Sequence, residues 1–490
     1  VPVADSPIIL ASVVCYLAVC AVIGVWAMRR THTISDFLMA GQSLPGYVVV
    51  IAAMSSTMSG FGFVGGPGLV FDSGASSWWM VFVVTLGAAQ SWTLAGKRLR
   101  LVSESREILT LPDAVAARYG GRAPRLMMGL AVLLGVLGYL GTQVVAIAWV
   151  LIAVFGVSQP VAMTIGLAVL AFYSIAGGIL AGVYTDLFQG VLMVIAALAV
   201  FYYALESGGG MAQISKTLWE MDPEFIGPWG TRGAVTALGW YLLFGLGAVG
   251  QPHTITKLMM LRDIRDLRWG AFQMGAAYSV LALLWMSIGL AMRALVLQGK
   301  QPPLENPDLA APTFLLGHTP ELLAGIVFAG LLAAIMSTAD SFLNIGAAAI
   351  VRDIPTALRG APLPNELFWT RVVTGVILVA SALFALYMES LVALLGTFGW
   401  GTFAAAIVPS VAIGLNWKRA TAAACTASIG ASIFLNFALE LASRHGVYTL
   451  PNGLPVGAVS LTVSLAIFVG VSLATPKPEI PEDVRAAMEV

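Results

Sequence analysis

A chain of 490 residues that is 59% hydrophobic and only 10% charged, with a mean hydropathy of +0.89, is not composed like a water-soluble domain. Its 25 basic and 25 acidic side chains cancel, so net charge points to no charged partner, and its three cysteines (Cys15, Cys20, Cys425) all fall in apolar stretches, suggesting neither disulfides nor a metal site. No P-loop or dinucleotide fingerprint occurs, so nucleic-acid, hydrolytic and nucleotide-dependent functions lose support and a non-enzyme is expected.

Apolar stretches long enough to cross about 30 Å of hydrocarbon fill most of the chain. In order they cover 7–28, 46–73, 75–101, 126–155, 158–178, 181–206, 231–260, 269–297, 318–351, 366–387, 389–415, 418–441 and 453–474. The expectation is an all-α integral membrane protein with about thirteen transmembrane helices, the fifth and sixth divided only by Gly177-Gly178. The first stretch lacks a basic flank and a small-residue cleavage site, so it reads as a span rather than a leader.

Charge placement gives an orientation. With the N-terminus outside, nineteen of the 25 Lys and Arg fall in inner loops, from Arg29, Arg30 and Lys97 through Lys257 to Arg485. Five (Lys216, Arg232, Arg293, Lys300, Arg444) stay outside and Arg371 lies within a span. That bias predicts a multi-pass inner-membrane protein, N-terminus periplasmic and C-terminus cytoplasmic.

The second stretch breaks in its middle. After Val48 to Met54 comes the polar, glycine-laden run Ser55-Ser56-Thr57-Met58-Ser59-Gly60-Phe61-Gly62. The seventh breaks likewise at Phe244-Gly245-Leu246-Gly247-Ala248-Val249-Gly250-Gln251-Pro252-His253. Loose backbone at membrane depth survives only inside protein or beside a polar cavity. Paired breaks in corresponding helices of two repeats point to a transporter's binding site. Two five-helix units follow, 46–206 and 231–415, each opening with its broken helix (46–73 and 231–260). An odd helix count forces opposite insertion, hence inverted repeats. Residues 1–45 supply a preceding helix and inner loop, and 416–490 two extra helices and a short tail.

In the ninth stretch Ala334, Ser337, Thr338 and Ser341 share one helix face by their i, i+3, i+4, i+7 spacing. Hydroxyl oxygens beside loose carbonyls suit a small desolvated cation such as Na+; the bland alternative is bonding to carbonyls one turn back. Asp340 and Asp186 lie deep in spans and are either cation ligands, proton carriers, or partners of a nearby Arg or Lys. Glu389 and Glu440 lie near span ends, where hydration explains them. Trp78, Trp79, Trp92 and Trp229 read as interfacial anchors. Tyr139 and Gln143, one turn apart on one face, and Phe244, before the second break, either line a pocket for a small solute or simply pack; Ser59, Phe61 and Gln251, at the two breaks, join them as the expected solute residues.

Several of these motifs occur together. Ile34 to Leu44, Thr110-Leu111-Pro112-Asp113 with Ala117-Arg118-Tyr119-Gly120, Gly177-Gly178 with Tyr184-Thr185-Asp186, Gly250-Gln251-Pro252-His253, and Ala333 to Ser341 stand in register. Together they resemble the sodium/solute symporter family, over nearly the whole chain. The resemblance implies a LeuT-type fold and uptake of a small organic solute coupled to inward flow of Na+. It places a main sodium site on the carbonyls of Ser55, Met58 and Ala334 and the hydroxyls of Ser337 and Thr338. Asp186, with Ser337, Asp340 and Ser341, matches a second sodium site that only some members have. Tyr139 and the Gly250 to His253 segment look like the proline-transporting branch. Phe244 and Ala248 stand where that branch carries tryptophan and tyrosine, implying a wider, less polar pocket for another amino acid or a monocarboxylate. The expected partners are sodium ions, that solute and the lipid bilayer, with no nucleic acid. Proton coupling on the same fold and a transporter-like membrane sensor remain open alternatives.

Overall fold

The computed structural model describes residues 6–29, 33–388 and 392–490; Arg30 and Glu389 lie outside them. The bundle consists of α1 (Pro7–Met28), α2 (Gly46–Thr57), α3 (Gly66–Ser73), α4 (Trp78–Ser91), α5 (Arg122–Phe155), α6 (Gln159–Gly208) and α7 (Gly233–Trp240). It continues with α8 (Pro252–Leu258), α9 (Leu267–Leu297), α10 (Glu321–Ala348), α11 (Glu366–Met388), α12 (Val392–Ile407), α13 (Ala422–Arg444) and α14 (Val456–Ala474). Among the described residues the only extended pairing is one bridge, Leu44 with Leu261.

Eleven helical runs among the described residues are long and apolar enough to cross a membrane. The run Phe61–Ser105 contains parts of two expected spans, while the apolar helix Gly46–Thr57 is shorter than a crossing needs by itself. The division expected at Gly177-Gly178 is not a helix end: α6 runs 50 residues from Gln159 to Gly208. At 1.5 Å per residue that is about 75 Å, more than twice the hydrocarbon thickness. Glycine costs only about 1 kcal/mol within a helix. Many helices end on a residue in left-handed backbone just past the last turn, as α5 does at Gly156 (φ +64°) before α6.

The two broken helices run antiparallel, and both pairs of ends are tied. Leu44, just before α2, donates its N–H to Met260 O (3.1 Å), and Arg262, just past α8, donates to Leu44 O (2.8 Å). The N–H of Gly46 donates to Asp266 Oδ2 at 2.8 Å. At the opposite end Arg232, before α7, pairs with Asp72 in α3 at 2.6 Å. Opposed entry and exit are what inverted repeats demand.

Several charges assigned to inner loops are structural. Arg118 is 2% exposed and donates to the carbonyls of Gly414, Trp417 and Ala420, and Arg100 donates to Leu261 O. Lys257 is no loop residue at all; it is buried in α8. Trp92 is likewise buried against Gly270 and is not a belt anchor, whereas Trp78 and Trp229 are exposed. Exposed apolar side chains such as Val22, Phe272, Leu383 and Phe434 stud the outside of the bundle, as a lipid-facing surface requires.

Candidate functional site

The break in the first split helix is a diversion of donors. The last bond of α2 runs from Met58 N–H to Met54 O (3.2 Å), and Met58 then leaves helical geometry (φ −86°, ψ 78°). The N–H of Gly60, which would close the next turn on Ser56 O, donates instead to Gln143 Oε1 at 3.0 Å. The N–H of Phe61 donates to Ser59 Oγ at 3.1 Å. Helix resumes in a wide turn from Phe61 to Gly65 and then α3. The vacated Ser56 carbonyl accepts the Thr338 hydroxyl from α10 at 2.8 Å, and the same hydroxyl lies 3.0 Å from Ala334 O. Both contacts are of the bland kind: the one hydroxyl proton lies within reach of the carbonyl one turn back and of Ser56 O, and it pins α10 to the broken helix.

The α10 face carries Ser337, Thr338, Asp340, Ser341 and Asn344, all at most 2% exposed. Opposite it, α6 presents Asp186 and Gln189, and α8 presents His253 and Lys257. Lys257 Nζ lies 2.9 Å from Asp186 Oδ2 and also donates to Ala52 O at 3.1 Å. Gln189 Nε2 donates to Tyr16 OH at 3.0 Å. Asp186 Oδ1, Ser337 Oγ and both carboxylate oxygens of Asp340 have no hydrogen bond of good geometry among the described residues, although Ser337 lies against Asp186, and Ser174 and Asn344 lie against Asp340. Buried oxygens without well-formed hydrogen bonds are costly unless a cation or proton meets them. With Asp186 paired to Lys257, the Asp340 oxygens are left to be met by a proton or a cation, and hydroxyl and carboxylate oxygens are ligands a hard monovalent cation accepts. Ser55 and Met58 are fully buried beside this cluster, with Ser55 Oγ 3.8 Å from Met193 Sδ.

The expected solute residues gather around an aromatic box. The Phe61 ring stacks with Phe244 (centroids 5.8 Å) and Trp400 (6.3 Å) and meets Trp285 edge-on (5.5 Å). Tyr139 lies 6.3 Å from Phe61 and 4.8 Å from Phe342, and its hydroxyl is 3.2 Å from Ser59 Oγ. Gln251 Nε2 donates to Gly247 O and Trp400 O, which leaves Gln251 Oε1 without a partner; Gln143 Nε2 has none either. All six expected residues are at most 1% exposed, so the box is sealed from both ends. Sequence reasoning missed Trp400, Trp285 and Phe342, which sit in apolar runs where ordinary core residues look the same. Neither ring nitrogen of His253 has a hydrogen bond among the described residues, and the ring packs on Phe342 at 4.7 Å.

Known proteins share this architecture and much of this sequence. The model of the sodium:solute symporter family matches residues 37–430. An osmoregulated proline transporter of Bacillus subtilis is 26% identical over 94% of both chains. A sodium/proline symporter of Haemophilus influenzae is 30% identical over 93% of this chain and 92% of its own. A sodium/pantothenate symporter of Escherichia coli is 26% identical over 84% and 86%. Among solved structures, a Na+-coupled sialic acid symporter in a substrate-bound outward-open state superposes with a TM-score of 0.77. That match covers 97% of this chain and all of the other at 21% identity, and it shows the LeuT-type fold. A multi-pass membrane protein built this way imports a small organic solute together with Na+; the chain belongs to the sodium:solute symporter family.

Proposed function

We propose that Na+ binds between the broken helix and α10, on the carbonyls of Ser55, Met58 and Ala334 and the hydroxyls of Ser337 and Thr338. The observation that carries this reading is the Thr338 hydroxyl on Ser56 O, which joins the two elements at the carbonyls the break has freed. A second cation is proposed on Asp340, Ser337, Ser341 and Asp186 Oδ1, supported by the four buried oxygens there that lack a hydrogen bond of good geometry. Sodium held at this seam favours the conformation in which α10 and α2 stay together, and the solute box is built on that same α2. Ion and solute thus stabilise one state, which is coupling by differential binding. Loss of sodium to a low-sodium interior loosens the seam and releases the solute.

The solute is proposed to be a small amino acid or monocarboxylate. Gln143 Nε2 offers a free donor and Gln251 Oε1 a free acceptor, beside an aromatic wall. A carboxylate on the first and an ammonium or other donor on the second would satisfy both. The carboxylate-bearing solutes named for the proline and pantothenate symporters are consistent with that pattern. The proposed setting is the inner membrane, with the N-terminus periplasmic, repeats over 46–206 and 231–415, and the helices of 416–490 added outside them.

Thermal stability of purified protein in sodium against potassium or choline, for wild type, Thr338→Ala and Asp340→Asn, tests the ion sites. Sodium-specific stabilisation that weakens in Thr338→Ala, with reduced sodium cooperativity in Asp340→Asn, is the expected result. No sodium effect, with stabilisation by low pH in its place, would assign the Asp340 charge to a proton and overturn the second sodium site.

A further inference from the structure

The end of the bundle opposite Asp72 and Arg232 is held as two groups of elements. In the first, Leu44 and Arg262 tie the broken helices together, and Arg100, on the helix Lys97–Ser105 that continues α4, donates to Leu261 O at 2.6 Å. In the second, the end of α10 is bound to the start of the helix Leu111–Tyr119. There the Thr110 hydroxyl donates to Asp353 Oδ1 at 2.6 Å, and Arg352 pairs with Asp113 at 3.3 Å. Arg118 of that helix holds the 414–420 turn in the same group (Gly414 O, 2.9 Å). The contact of Thr338 with Ser56 O lies on the boundary between the groups. So does a cavity of about 20 Å³, with Thr256, Lys257 and Met260 on one wall and Asn344, Ala348 and Asp353 on the other. Opening this end to water means parting the groups along that boundary.

A further helix, Glu482–Glu489, spans it. It starts after Pro481 with two carboxylates in its first turn, which suits the positive end of a helix. Val484, Ala487 and Met488, at i, i+3 and i+4, form its apolar face and are buried. Its base belongs to the second group: Arg419 donates to the carbonyls of Leu473 and Thr475, at 3.1 and 2.5 Å, and Lys418 pairs with Glu489. Its grip is on the first. It packs on Lys97–Ser105, and Asp483 accepts from Arg106 Nε (2.6 Å) and Nη2 (2.8 Å), with Ser105 Oγ at 3.3 Å. Bidentate pairing of this kind is the strong form of the interaction. A neutral bridge, Asn416 Nδ2 to Leu94 O at 2.7 Å, crosses beside it. Arg106 holds the Asp483 carboxyl down to about 2, so the pair stays charged at physiological pH. With side chains 37% and 35% exposed, it is open to screening by salt.

We infer that the helix Glu482–Glu489 is a latch on inward opening. Docked, it holds the inner ends of the two broken helices to the α10 side, and ionic strength at that face sets how readily it lets go. The inference rests on the boundary between α2 and α10, not on which ion or solute is bound there.

The test uses the whole chain in nanodiscs, with Cys15, Cys20 and Cys425 replaced and a reporter thiol placed by Ala348→Cys, at a buried position that faces the boundary cavity. Modification by N-ethylmaleimide, an uncharged reagent, is timed at low and high potassium chloride without sodium. Asp483→Asn should speed modification about threefold at low salt, the scale of one partly exposed ion pair, and a stop after Lys477 should speed it further. Exchanging the charges, Arg106→Asp with Asp483→Arg, should restore the slow rate that Asp483→Arg alone loses. High salt should speed the unaltered tail and leave Asp483→Asn unchanged. Equal rates with the tail intact, with Asp483→Asn and with the stop would overturn the latch, as would an exchange variant no slower than Asp483→Arg. Acceleration by salt of the same size in Asp483→Asn would overturn the ionic control.

Discussion

The ammonium of Lys257 sits 2.9 Å from the Asp186 carboxylate, and neither side chain is more than 1% exposed. The two residues are 71 positions apart, on α8 and α6, and meet at the inner half of a broken helix. A cation built into the chain therefore occupies one side of the polar cluster that Asp340 completes from the other.

Removing one member of such a pair leaves an uncompensated buried charge. Lys257→Met should lower stability by about 3–5 kcal/mol, and Lys257→Met with Asp186→Asn should recover most of the loss. Unfolding of the four corners of this cycle in micelles measures it. A double variant whose loss equals the sum of the two single losses would show that the pair does not couple.

Thr338→Ala deletes the hydroxyl that Ser56 O accepts. One buried hydrogen bond is worth about 1–1.5 kcal/mol, so the sodium concentration for half-maximal uptake should rise about tenfold, with Thr338→Ser near wild type. Uptake into proteoliposomes at varied external sodium reads this directly.

At Gly60 a β-carbon would lie 2.4 Å from Ala146 Cβ. Gly60→Ala should cost about 1–3 kcal/mol by overpacking and abolish solute-dependent stabilisation, because it forces the broken segment off Gln143. Adding Ala146→Gly should restore both. A double variant no better than Gly60→Ala alone would sink the steric account.

Asp308, in the short helix between α9 and α10, is buried with Oδ2 on the Val392 N–H (2.9 Å). Burial pushes its carboxyl up to about 7, against the opposing pull of that N–H. An unfolded aspartate titrates near 4, so the folded loop binds the proton more tightly. This contribution is fully present below about pH 4 and is lost as pH rises to about 7. Hydrogen-exchange protection factors across the Asp308 loop, corrected for the intrinsic pH dependence of exchange, should fall over that window in wild type and stay flat in Asp308→Asn.

The two helix breaks were legible because a run such as Ser55 to Gly62 is polar and glycine-rich where lipid would demand neither. The polar face of α10 was legible because Ala334, Ser337, Thr338 and Ser341 obey helical spacing. Lys257 was not, since a basic residue four positions after His253 looks the same whether it ends a span or turns inward. Trp400 and Phe342 were hidden for the opposite reason: in an apolar stretch, ring and core residue share one signature, and only tertiary contact separates them. The passage of α6 through Gly177-Gly178 also escaped, because glycine weakens a helix without dictating where it stops.

One interrupted rung of the first split helix has its two halves on different duties. Its acceptor, Ser56 O, holds the Thr338 hydroxyl, and its donor, Gly60 N–H, holds Gln143. Between the proposed ion and solute sites the path is then a few covalent bonds of one backbone segment, with no relay through the outer helices. Whatever factor sodium applies to the solute's dissociation constant, the solute must return to sodium's. That mutual factor should survive any change at the bundle's periphery that leaves this rung unclosed.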